Sequence, residues 1–128
     1  MSSAARAVVA GHGAFADGVI SAVHQITGRG ELFVAVSNRD LGASELEQAL
    51  RRHAEAGAIV FFTDLPAGSA TIAARRVLRD HPALQLVTGT NVPVLLDWLF
   101  NAEAADAPAR AAEKGRQALV VHGAARAD

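Results

Sequence analysis

The sequence predicts an α/β fold, an open and mainly parallel sheet with helices on both faces. Two observations carry it. Apolar runs of strand length alternate with longer segments of helical period, and that order recurs four times. The most apolar run, Ala-Ile-Val-Phe-Phe-Thr over residues 58–63, shows no alternation, as a central strand buried on both faces requires.

Strand one is expected over residues 6–11, ending at the turn Gly11-His12-Gly13. In the following helix Phe15, Val19, Ala22, Val23 and Ile26 recur at spacings of three and four and form one apolar stripe, and Gly28 ends it. Residues 31–36 read as strand two, with the polar Ser37-Asn38-Arg39-Asp40 as the loop beyond. Ser44-Glu45-Leu46-Glu47 has the form of a capping box for helix two, Ser44 accepting from the Glu47 amide and the Glu47 carboxylate reaching back; Gly57 stops that helix. After strand three, the turn Asp64-Leu65-Pro66-Ala67-Gly68 leads to a helix with its N-cap at Gly68-Ser69, running to about Arg79. Residues 84–88 form strand four, and Asn91-Val92-Pro93 opens a helix carrying Leu95, Leu96, Leu99 and Phe100. Residues 101–108 read as a linker. From residue 109 the Ala-rich C-terminal segment to 128 reads as helix or tail, in which 118–121 is either the helix end or an added antiparallel edge strand.

Length and composition bound the function. A chain of 128 residues is expected to form one domain, residues 1–128, with a sizeable core. With 51% apolar and 20% charged residues and a net charge of −1, neither disorder nor a polyanion-binding surface is signalled, and nucleic acid is not expected as a partner. Cysteine is absent, which removes disulfides, thiolate metal sites and cysteine nucleophiles and fits a reducing compartment. No apolar run approaches the roughly 18 residues of a membrane span, the stretch from Met1 to Ala10 included, so no membrane insertion and a cytoplasmic location are expected.

In an open parallel sheet ligands bind beyond the carboxyl ends of the strands, where neighbouring connections diverge. Gly11-His12-Gly13, Asp64 and Thr88-Gly89-Thr90-Asn91 all follow strands. A strand order of 2-1-3-4 makes strands one and three neighbours and brings His12 and Asp64 to one edge. A carboxylate accepting from one imidazole nitrogen fixes the tautomer, leaves the other nitrogen bare as a nucleophile, and stabilises the cation formed on phosphorylation. Glycines at 11 and 13 allow close approach of an anion, and the helix N-termini after His12 and at Gly68-Ser69 offer unpaired N–H groups to phosphate oxygens. Taken singly these residues have plainer readings: His12 as a structural turn, Asp64 as a turn former, Ser69 and Asn91 as N-caps.

Three segments together resemble the signature regions of mannose-class enzyme IIA domains of the sugar phosphotransferase system: Gly11-His12-Gly13-Ala14-Phe15-Ala16-Asp17-Gly18-Val19, Thr63-Asp64-Leu65-Pro66-Ala67-Gly68-Ser69-Ala70, and Gly89-Thr90-Asn91-Val92-Pro93-Val94-Leu95-Leu96. The resemblance covers nearly the whole chain. It implies phosphorylation of His12, orientation of His12 by Asp64, and a phosphoryl group held by Gly13, Gly68 and Ser69, with no metal or cofactor. It implies the phosphocarrier protein HPr as donor, a separate IIB component as acceptor, and a homodimer. The aspartate loop departs from the usual glycine pair followed by Ser-Pro, having Pro66-Ala67-Gly68-Ser69-Ala70 instead. Two other functions fit the same residues: the phosphotransfer subunit of a dihydroxyacetone kinase, which typically has a shorter aspartate loop, and a regulatory module read by its phosphorylation state. The remaining histidines, His24, His53, His81 and His122, lack metal-motif spacing and read as structural or surface residues. Arg75, Arg76 and Arg79 read as a solvated helix face, and Trp98 as core or dimer contact.

Overall fold

In a computed structural model describing residues 6–127, the strands are β1 (Ala7–Gly11), β2 (Phe33–Ser37), β3 (Val60–Thr63) and β4 (Gln85–Val87). Residues 1–5, half of the N-terminal stretch discussed above, and residue 128 lie outside the described residues. The helices are α1 (Phe15–Thr27), α2 (Ala43–Glu55), α3 (Ser69–Leu78), α4 (Val92–Asn101) and α5 (Ala107–Gln117), with a 3-10 turn at Gly30–Leu32. The sheet is parallel throughout, in the order β2-β1-β3-β4. Strand alternation explains the unbroken apolar runs. Ala7, Val9, Val60 and Phe62 point to a core shared with α1, α4 and α5, whereas Val8, Ala10 and Phe61 point to a second core with α2 and α3.

Trp98 belongs to the first core. It is fully buried and meets Phe33 and Phe62 edge-on, with ring centroids 5.5 and 5.8 Å away. Each such contact adds about 0.5–1.5 kcal/mol beyond the area buried. In α1 the buried stripe is Ala16 and Val23 flanked by Phe15, Val19 and Ile20, while Ile26 is exposed; in α4 Val94, Leu95, Trp98 and Leu99 face inward and Phe100 is exposed. Gly28 ends α1 in the left-handed conformation expected of it.

Three helix starts differ from expectation. Helix α2 begins at Ala43 with Gly42 as N-cap, and the Gly42 amide donates to Glu45 Oε1 at 2.9 Å. The reciprocal carboxylate therefore belongs to Glu45, two residues before Glu47. Glu47 instead joins Arg51 at 3.1 Å and Arg76 at 3.7 Å, tying α2 to α3. In α3 the N-cap is Gly68 alone and Ser69 is the first helical residue. Asn91 does cap α4, accepting from the Val94 amide at 3.1 Å, and its own amide donates to the Gly115 carbonyl at 3.0 Å. Gly115 allows this closeness, since a Cβ there would collide with Val94. Helix α5 starts at Ala107, inside the expected linker, because Ala107 and Ala111 are buried against α4. Residues 118–121 form no strand, and Leu119, Val120 and Val121 are exposed.

Candidate functional site

The register aligns Gly11 with Ser37 and Ala10 with Thr63, so the ends of β1, β2 and β3 lie level. The connection after β1 enters α1 on one face of the sheet and that after β3 enters α3 on the other. The switch point between β1 and β3 holds His12 and Asp64.

One carboxylate oxygen, Asp64 Oδ2, accepts twice: from the His12 backbone amide at 2.9 Å and from the His12 ring at Nδ1, 2.8 Å away. The side chains are 51% and 13% exposed respectively, so the ring is reachable from solvent while the carboxylate beneath is sheltered. Burial pushes the Asp64 carboxyl up, but the His12 amide, the His12 ring and its charge together push it further down, and the net position is below its ordinary value. An ionised carboxylate only accepts, so Nδ1 carries the proton and, in the neutral ring, Nε2 carries the lone pair.

The surroundings hold this pair in place. Thr71 Oγ1 donates to the Leu65 carbonyl at 2.6 Å and lies 2.7 Å from Thr63 Oγ1, which is therefore the donor of that second bond. This buried threonine pair clamps the backbone on both sides of Asp64, and the Thr90 amide adds a bond to the Thr63 carbonyl at 3.0 Å. Gly68 (φ 120°, ψ 171°) occupies a region essentially closed to other residues, at a cost of about 1–3 kcal/mol for them. A Cβ at Gly68 would also come within 3.3 Å of His12 Cε1, so the glycine leaves room beside the ring edge. Helix α3 starts at Ser69, directly after the glycine that lies beside the ring, and the first amides of a helix have no intrahelical partners.

Gly11 is required for a different reason. A Cβ there would lie 2.7 Å from Asp64 Cγ and 2.9 Å from Phe15 Cδ2. Gly11→Ala is expected to destabilise the protein by about 1–3 kcal/mol, as overpacking of a fixed site does, and to displace the carboxylate from His12. Chemical denaturation checks the first effect; an unchanged midpoint would show that the strand end yields without cost.

Of the residues expected at the site, His12, Asp64, Gly13, Gly68 and Ser69 converge at this edge. Ser69 does so as a hydrogen-bond partner, its Oγ accepting from Asn38 Nδ2 at 3.1 Å, and not as a cap. Thr88-Gly89-Thr90-Asn91 serves the β3–β4 edge and the α4 cap. Sequence reasoning missed the loop after β2. Ser37 Oγ donates to the Gly13 carbonyl at 2.9 Å and the Asn38 amide to the Gly11 carbonyl at 3.0 Å. The signal was available, because a 2-1-3-4 order sets β2 beside β1 and delivers its loop to the same edge. Arg75, Arg76 and Arg79 lie at the far end of α3 and make no part of the site. His24 is structural, its Nδ1 accepting from the Gly30 amide at 3.0 Å. Among the described residues no cluster of three His, Asp or Glu side chains is arranged to hold a metal, and no helix is long and apolar enough to cross a membrane.

Fold and site together define a doubly wound α/β protein with a histidine–aspartate pair at its switch point. Residues 6–113 match the family described as PTS system fructose IIA component, and the chain belongs to that family, the IIA phosphotransfer components of sugar phosphotransferase systems. No curated protein sequence matches. Among solved structures the chain is similar to a phosphotransferase system component EIIA from Streptococcus agalactiae, at 18% identity with a TM-score of 0.81, over 91% of this chain and 95% of that one. It is similar to a mannose/sorbose specific IIA subunit from Enterococcus faecalis, at 17% identity and TM-score 0.79, over 97% and 98%. A PTS IIA protein associated with the fucose utilization operon of Streptococcus pneumoniae aligns at 20% identity and TM-score 0.77, over 94% and 96%. At these identities the structures establish the shared fold.

Proposed function

We propose that this protein is a cytoplasmic phosphocarrier that accepts a phosphoryl group on His12 from phosphorylated HPr and passes it to a IIB component for sugar uptake. The observation that carries this is the His12–Asp64 pair, with Nδ1 engaged at 2.8 Å and the ring half exposed. The Nε2 lone pair attacks phosphorus, the donor's N–P bond breaks, and its electron pair returns to the donor ring. The Nδ1 proton stays directed at Asp64, whose charge offsets that of the phosphorylated ring. Delivery to the acceptor is the same step reversed. Gly13, Gly68, Ser69 and the amides at the start of α3 supply a surface on which an anion fits, and the transfer as written uses no cofactor.

A homodimer is part of this reading. The edge of β4 beyond its pairing with β3 borders a groove of about 320 Å³ shared with α5, and the exposed Leu119, Val120 and Val121 of a second copy are the segment this reading sets against that edge.

The test is to mix the protein with enzyme I, HPr and phosphoenolpyruvate and search for an acid-labile phosphoryl group by mass spectrometry. One group confined to His12 is expected. Labelling at another residue, or none with several HPr proteins, overturns the assignment and returns weight to a dihydroxyacetone-kinase subunit or a regulatory module.

A further inference from the structure

The loop after β2 carries a cation to the site. Arg39 reaches back over Gly13, so that an atom in the place of a Gly13 Cβ would lie 3.5 Å from Arg39 Nη2. Its backbone is fastened there: the Arg39 amide donates to Ser37 Oγ at 3.0 Å, the same hydroxyl that donates to the Gly13 carbonyl at 2.9 Å. Asp40, the next residue, has φ 62° and is the non-glycine residue with positive φ among those described. Such a turn at a non-glycine position persists where its surroundings over-determine it. Arg6, Arg51, Arg76, Arg110 and Arg116 each lie within 4.0 Å of a carboxylate, whereas Arg29, Arg52, Arg75 and Arg79 do not and are remote from Gly13 in the fold. Among the described residues Arg39 has no carboxylate at that distance.

The site otherwise offers a phosphoryl group only neutral donors, and the fixed charge nearest the reacting ring is the negative Asp64. An anion arriving on His12 adds charge of the same sign. A guanidinium beside Gly13, the residue that follows His12 in the chain, is the counter-charge that this arrangement lacks, and its planar fork matches two phosphoryl oxygens at once. We propose that Arg39 binds the phosphoryl group on His12 and stabilises it during transfer. This rests on His12 being the acceptor.

The test separates contact with the phosphoryl group from docking of a donor protein by using two donors, phosphorylated HPr and the small molecule phosphoramidate. Arg39→Ala is expected to slow labelling of His12 by about 100-fold with both, as loss of one charge-stabilising donor does, and to shorten the lifetime of the phosphohistidine. Arg39→Lys, which keeps the charge and loses the fork, is expected to recover about tenfold of this. Thermal unfolding of both variants should match that of the unchanged protein. If Arg39→Ala raises only KM for phosphorylated HPr and leaves the phosphoramidate rate unchanged, Arg39 is a docking residue and the proposal fails. Equal rates with both donors overturn it too. If the unchanged protein accepts from neither donor, the function proposed above fails first and this inference with it.

Discussion

His12→Ala is expected to fold as the unchanged protein does and to accept no phosphoryl group. The side chain is half exposed, and its one polar partner, Asp64 Oδ2, keeps the bond from the residue-12 amide when the ring is removed. The stability cost is accordingly that of one lost hydrogen bond, about 1 kcal/mol. Among the described residues no second histidine is bonded to Asp64. His24 is engaged by the Gly30 amide, and His53 lies half buried on α2, where burial first and the neighbouring Arg52 second push its pKa down. Thermal unfolding and phosphoryl labelling side by side check both halves of the expectation. A folded variant that still labels places the acceptor elsewhere.

Asp64→Ala is expected to slow acceptance by about 10²–10⁴-fold while leaving the acceptor histidine in place, the range set by loss of an orienting carboxylate in other histidine-based sites. Without the carboxylate the ring is free to turn, either nitrogen can carry the proton, and the charge that offsets a phosphorylated ring is gone. The same substitution has a pH signature. Because the folded-state pKa of Asp64 lies below its unfolded value of about 3.9, the carboxylate contributes stability that is fully present above that value and disappears as pH falls through the folded pKa. The stability gap between the unchanged protein and Asp64→Ala should therefore be present above that value and close as the pH falls below it. Denaturation at a series of pH values measures it, and a gap independent of pH would mean that Asp64 acts through packing and not through charge.

Much of this architecture is written in the sequence. The alternation of apolar runs and helical stripes, with residues 58–63 apolar throughout, leads to the parallel sheet, and the 2-1-3-4 order expected of it, which the structure shows, sets His12 beside Asp64. What the sequence hides is whatever depends on how elements dock. Glu47 matches a capping box on paper, but α2 starts earlier because Gly42 takes the extended conformation and Glu45 closes on it. Ile26 and Phe100 continue apolar stripes in the sequence, yet both are exposed in the fold. Thr63 and Thr71 look like ordinary β-branched residues until α3 folds back over β3 and makes them a buried clamp. Gly115 looks like a flaw in a short helix until α4 arrives at its surface. Arg39 sits in a run of loop residues whose importance comes only from the neighbouring strand.

The pair at the centre of the site joins residues 52 positions apart, and the bond that steadies Ser69 spans 31. The pair exists only where β1 and β3 lie side by side in register, so it depends on the long-range pairing of the sheet. On the function proposed above, acceptance of a phosphoryl group would therefore report that these strands have paired.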